Sequence, residues 1–266
     1  MPDDPVRYWE ALTSAEVADL VPEDPVVVLP LAAVEQHGPH LPLSTDLDIA
    51  MGIVRRAFSR LDDGDPVLLL PPLTVGASDE HRDHPGTLSV GSGLMDRLVR
   101  LRGSDVARHG VRRLVLLNAH GGNRAAMESA ALILRRDEGM LVVKADYFRF
   151  PRPDGVDLPE SEWRWGIHGG ALETSMMLHL CPERVRMDRV ARFRSLEEDL
   201  EADLRRLSAT GPMSFAWLAG DLNELGVVGD PRSATAEMGE TLVAHYGDVL
   251  ADLVRDARDF PLERLG

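Results

Sequence analysis

The sequence predicts an α/β fold in which helices cover both faces of a mostly parallel sheet. Two observations carry that prediction. Four short apolar runs, residues 26–31, 67–70, 113–117 and 140–144, lack polar alternation, as strands buried on both faces do. The stretches between them are long enough for crossover helices, and no repeat, heptad array or low-complexity tract interrupts a one-domain reading of residues 1–266.

Taken in order, Thr13 with Glu16 has the pattern of a capping box ahead of a helix over 14–20, and Thr45 with Asp48 is a weaker version before a helix over 47–60. The next helix is expected over 92–108, ending at His109 and Gly110, where glycine tolerates the left-handed cap. Another starts near Asn123, as its cap, and runs to Asp137. Residues 148–166, rich in proline with Trp163 and Trp165, read as a long ordered loop at an active site or an interface. Helices then fit 170–180, an acidic surface stretch over 195–207, and 234–257.

Composition excludes several partners. Lys+Arg 29 against Asp+Glu 44 give a net charge of -15, so nucleic acid and anionic membrane surfaces are not expected partners. The longest apolar run, at 26–34, is far too short to span a bilayer. The single cysteine, Cys181, excludes an internal disulfide and reads as a small buried hydrophobe. The acidic start, MPDDPVRYWE, lacks the features of a secretory signal, and a cytoplasmic setting is expected.

Four segments concentrate chemistry-bearing residues. EQHGPHLPLSTD, residues 35–46, follows the first strand and brings Glu35, His37, His40 and Asp46 to the place where open α/β sheets bind ligands. Glu35 and His37 are two apart, so an extended backbone projects both to one side. Imidazole with carboxylate suits zinc, manganese or another divalent ion, and Asp46 has the chemistry to bridge two of them. Ordinary turn and capping roles are the alternative for these residues.

NAHGGN, residues 118–123, places His120 at the end of another buried strand, without a nucleotide-binding glycine pattern. GIHGGALETSMMLHL, residues 166–180, puts Glu173 on one helical face with Met176, Met177 and Leu180. A carboxylate facing a core needs a partner or a cation, so Glu173 is the better ligand candidate than Glu162, assigned to the polar loop upstream. His168 is a candidate for metal binding or proton exchange. GASDEHRDHPGTLSVG, residues 76–91, resembles an active-site lip, in which His81 or His84 is positioned for substrate. His109, His179 and His245 read as surface or packing residues, and Asp230 with Arg232 as a turn.

EQHGPHLPLSTD, NAHGGN, HGGALETS and GDPRSATAE, in that order, resemble the creatininase family of metal-dependent amidohydrolases from about Leu12 to the last helix. The resemblance implies a three-layer α/β/α sandwich, a centre of two divalent ions (zinc, manganese or iron), and hydrolysis of a C–N bond by metal-activated water in a small cyclic or linear amide. It also implies a homo-oligomer, with homohexamers frequent. It puts Glu35, His37, Asp46 and His120 in the metal centre, with Asp46 bridging and Glu173 as a further ligand and catalytic group. It assigns His168 to proton transfer, for which a near-neutral pKa suits.

Creatinine-hydrolysing members carry a glutamate where this chain has Gly122, and another where it has Ile167; both departures argue against creatinine as substrate. The 35–46 segment and ASDEHRDHPGT, residues 77–87, also resemble the branch that releases a C-terminal dipeptide from the mycofactocin precursor. Formamide-cleaving members share the general motifs. A noncatalytic, metal-stabilised assembly protein is the rival class, and it predicts saturated coordination without hydrolysis. A serine or cysteine hydrolase lacks its nucleophile elbow here.

Overall fold

The computed structural model describes residues 4–62 and 64–265; residues 1–3 of the acidic start lie outside them. The elements in chain order are α1 Ser14–Leu20, β1 Val26–Leu31, α2 Thr45–Phe58, β2 Val67–Leu69, α3 Gly91–Arg108, β3 Arg113–Asn118, α4 Arg124–Glu138 and β4 Leu141–Asp146. They are followed by α5 Glu160–Trp165, α6 Ala171–Leu180, α7 Leu196–Leu200, α8 Ala219–Leu222 and α9 Ala236–Asp259. The strands form one parallel sheet in the order β2-β1-β3-β4.

Alternate residues of the strands feed two separate cores. Val26 and Val28 of β1, with Val115 and Leu117 of β3, pack against Ile53 of α2, Met177 of α6 and Leu250 of α9. Val27, Leu29 and Leu31, with Leu114 and Leu116, pack against Val99 of α3 and Leu134 of α4. The result is three layers, helix, sheet and helix. Apolar burial on both strand faces is why the strands show no polar alternation.

Local chemistry sets the helix ends. The Thr13 and Glu16 capping box is present. At α2 the expected cap is displaced: Thr45 is already helical and its hydroxyl donates to the Pro42 carbonyl, while the Ser44 hydroxyl donates to Asp48. The acidic stretch at 195–207 is helical only over Leu196–Leu200, where Leu196 packs on Ala209, Leu222 and Val228 but no residue is fully buried, so a longer helix gains little. The 148–166 segment is not wholly loop, since Pro159 starts α5, where Trp163 packs on the larger core. Cys181 is half-buried at the end of α6 rather than fully enclosed. Among the described residues no helix is long and apolar enough to cross a membrane.

From β1 the chain crosses to β2 on one side, whereas β3 pairs on the other. This reversal opens a crevice beyond the carboxyl ends of β1 and β3, the place such sheets use for ligands. The loops carrying Glu35 and His120 meet there, joined by the Ala119 N–H donating to the Leu31 carbonyl at 2.9 Å.

Candidate metal centre

Glu35 and His37 follow β1 in the loop after it, and their side chains enter one buried space, with His37 Nε2 3.9 Å from Glu35 Oε1. Asp46 lies in the first turn of α2, His120 two residues beyond β3, and Glu173 in the first turn of α6. Glu35, His37, Asp46 and His120 are buried, and Glu173 is nearly so. His37 Nε2 lies 3.2 Å from Asp46 Oδ1 and 4.0 Å from Glu173 Oε2. His120 Nδ1 lies 3.2 Å from Glu35 Oε1 and 3.6 Å from Asp46 Oδ2. Glu35, Asp46 and His120 thus form one set able to hold a cation and His37, Asp46 and Glu173 another, with Asp46 common to both, while Glu35, His37 and His168 form a third.

The outer nitrogens of the two imidazoles are held by the backbone. His37 Nδ1–H donates to the Glu35 carbonyl at 3.1 Å, and His120 Nε2–H to the Ala77 carbonyl at 2.9 Å. Each ring therefore turns its other nitrogen inward, the tautomer control seen around metal-ligating histidines. Both Glu35 oxygens, His37 Nε2 and Asp46 Oδ2 are buried without a hydrogen-bond partner. Leaving so many polar atoms unpaired costs several kcal/mol, so the cluster fits a bound cation.

The electrostatics agree. Burial favours neutral imidazoles, yet the surrounding carboxylates outweigh it and push His37 and His120 up to about 10. Burial and the charges of Asp46 and Glu35 push Glu173 up to about 7. For Glu35, burial is overcome by His120, His81 and His168, which hold its carboxyl well below the usual range. Three carboxylates in one buried space demand positive charge, from protons or from metal.

His168 sits at the same centre, its Nδ1 3.7 Å from Glu35 Oε1 and its Nε2–H donating to the Gln36 carbonyl at 2.8 Å. Burial, with the neighbouring His37 and His81, holds His168 well below its usual pKa.

Several neighbours escaped the sequence reading. Gln36 donates from its amide to His81 Nδ1 and to the Gly226 carbonyl. His81 Nε2 lies 3.8 Å from Glu35 Oε1, which places it inside the centre, whereas His84 lies against Gly226. Glu80 Oε1 is 3.5 Å from His120 Nε2. A Cβ on Gly122 would come within 2.5 Å of that oxygen and 2.1 Å of the Ala77 carbonyl, so the 77–80 segment occupies the space a side chain would need. Asn123 does not cap α4; its amide instead bonds the Ala32 carbonyl and the Ala77 N–H. Glu162, assigned to a polar loop, is 4% exposed on α5. Beside His81 and His168 lies a recess walled by Ile167, Trp217, Leu222 and Val228.

The chain was compared with known proteins. The creatininase family profile, described as creatinine amidohydrolase, matches residues 10–254. The mycofactocin precursor peptide peptidase of Mycobacterium tuberculosis strain H37Rv is 35% identical over 89% of this chain and 87% of its own length. The protein of the same name from Mycolicibacterium smegmatis is 32% identical over 91% and 88%. Creatinine amidohydrolase of Pseudomonas putida is 30% identical over 90% and 91%. Among solved structures, creatinine amidohydrolase (creatininase) superimposes with a TM-score of 0.76 at 26% identity, covering 96% of this chain and 98% of that one. A manganese creatininase gives 0.75 at 26% identity, covering 96% and 99%.

Proposed function

The chain belongs to the creatininase family of metal-dependent amidohydrolases, and from that premise we propose that it is a peptidase cleaving near the C-terminus of a small precursor peptide. What carries this reading is the agreement of four curated precursor-peptide peptidases, each matching more than four fifths of this chain. Gly122, enclosed by Ala77, Glu80 and His120, agrees with a substrate other than creatinine. The curated relatives between 32 and 35% identity carry the precursor-peptidase name.

Asp46 is assigned to both cation positions, with Glu35 and His120 completing one and His37 and Glu173 the other; zinc, manganese and iron are the candidates. Three carboxylates against two dications leave a single net positive charge, so the ligand set does not quench Lewis acidity. Bound ions supply a polarised scissile carbonyl and a nucleophile drawn from water at neutral pH. His168, with Nδ1 facing Glu35, would take the proton released by water and return it to the leaving nitrogen as the C–N bond breaks. The Gln36 carbonyl keeps the other imidazole proton in place throughout. Products are a carboxylate and a free amine, with one water consumed.

Hydrolysis of a small cyclic or linear amide is the second reading, favoured by the creatinine amidohydrolase relative at 30% identity. Metal analysis of the purified protein, coupled to hydrolysis of peptides ending in Val-Tyr, of creatinine and of small formamides, tests both. Peptide cleavage restored to the metal-free protein by zinc or manganese is expected. Turnover of creatinine alone overturns the peptidase reading, and tight metal with no hydrolysis favours an assembly protein. A homohexamer is proposed on the family resemblance, and sedimentation of the holoprotein should show six times the 29.2 kDa chain mass.

A further inference from the structure

Another buried acid stands outside the centre, on α5. Glu162 Oε1 accepts the Ala171 N–H at 2.6 Å, and its Oε2 accepts the Asp230 N–H at 2.7 Å. The side chains acting most on it electrostatically, Asp230 and Glu198, are themselves acidic, and burial raises its pKa. Space for the carboxylate depends on three glycines, since a Cβ on Gly166, Gly170 or Gly229 would lie 2.3, 2.5 or 2.7 Å from Glu162 Oε1. An apolar side chain would fill such a space at less cost than a buried acid.

The two backbone amides it holds flank one residue. Ala171 opens α6 three positions after His168. Asp230 lies two residues after Val228, whose N–H donates to the His168 carbonyl at 2.9 Å in an isolated antiparallel bridge. Gly169, between them, takes a left-handed φ of 69° and is itself fixed, its N–H by Glu173 and its carbonyl by His40. We propose that Glu162 is a positioning residue: by clamping Ala171 to Asp230 it fixes the backbone of His168 and so the direction in which Nδ1 faces Glu35. The inference rests on the reading of His168 as the proton-transfer group.

A double-mutant cycle on the metal-loaded protein, with a peptide ending in Val-Tyr as substrate, tests it. Glu162→Gln keeps the shape but presents an amide N–H to one of the two backbone donors. It should lower kcat at least about 10-fold, the scale expected for a misplaced catalytic group, with KM and metal per chain little changed. Added to His168→Asn, it should cost nothing further. Losses that add, or a fall in metal content matching the fall in kcat, overturn the inference alone. Native kcat in His168→Asn removes the proton-transfer reading and this inference with it. If the amide variant does not fold, Glu162→Asp, with a shorter carboxylate, must show the same non-additive loss. A measurement independent of turnover is the crystal structure of the Glu162→Gln or Glu162→Asp variant. There the separation of His168 Nδ1 and Glu35 Oε1, 3.7 Å in the native chain, should lengthen; an unchanged separation overturns the proposal.

Discussion

His37 and Asp46 face one another across the first loop, with His37 Nε2 3.2 Å from Asp46 Oδ1. The other oxygen of Asp46 is turned to His120, at 3.6 Å from its Nδ1. One carboxylate therefore serves two ligand sets. Its place in the first turn of α2 helps, because the positive end of a helix stabilises an anion there.

The two sets differ in what they share, and that makes them separable. Glu173 belongs to the set with His37 and Asp46 and not to the set with Glu35 and His120. Glu173→Gln is expected to lower occupancy at the first position while the second keeps its ion, so elemental analysis should fall from two ions per chain towards one. Two ions retained with native turnover would remove Glu173 from the centre.

Gly122 is a steric requirement of the 77–80 segment. In Gly122→Ala the new methyl would meet the Ala77 carbonyl at 2.1 Å, and backbone cannot yield as a side-chain tip does. Overpacking of this kind costs about 1 to 3 kcal/mol, to be read as a lower urea midpoint at unchanged slope. Native stability in the variant would show that the segment is not held against Gly122.

His40 supplies a pH dependence. Burial is the main cause of its lowered pKa, partly offset by the bond to Gly169 and helped by the charge on His37, and the result is about 4. The folded chain then binds fewer protons than the unfolded chain between pH 6.5 and 4, so stability is lost as pH falls through that window. The contribution is about 3 kcal/mol. In chelator-treated protein, the drop in unfolding free energy from pH 7 to pH 4 should be smaller by about that amount in His40→Asn. Equal drops would contradict a neutral, buried His40.

The strands were legible because burial on both faces leaves an unbroken apolar run, and Glu35 with His37 because a period of two needs no tertiary knowledge. Strand order was not, since periodicity is silent on which strand neighbours which. Glu162 was misassigned for a related reason. Its burial depends on backbone donors at Ala171 and Asp230, the latter 68 positions away, and no local pattern announces them. The surroundings of His168 were not legible either, because His81 and His37 converge on it from other segments.

The shared role of Asp46 is tested most directly by anomalous diffraction from crystals of the zinc- or manganese-loaded protein. Two peaks are expected, one among Glu35, Asp46 and His120 and one among His37, Asp46 and Glu173, with an oxygen of Asp46 ligating each. Peaks elsewhere, or ions that Asp46 does not touch, would contradict the account.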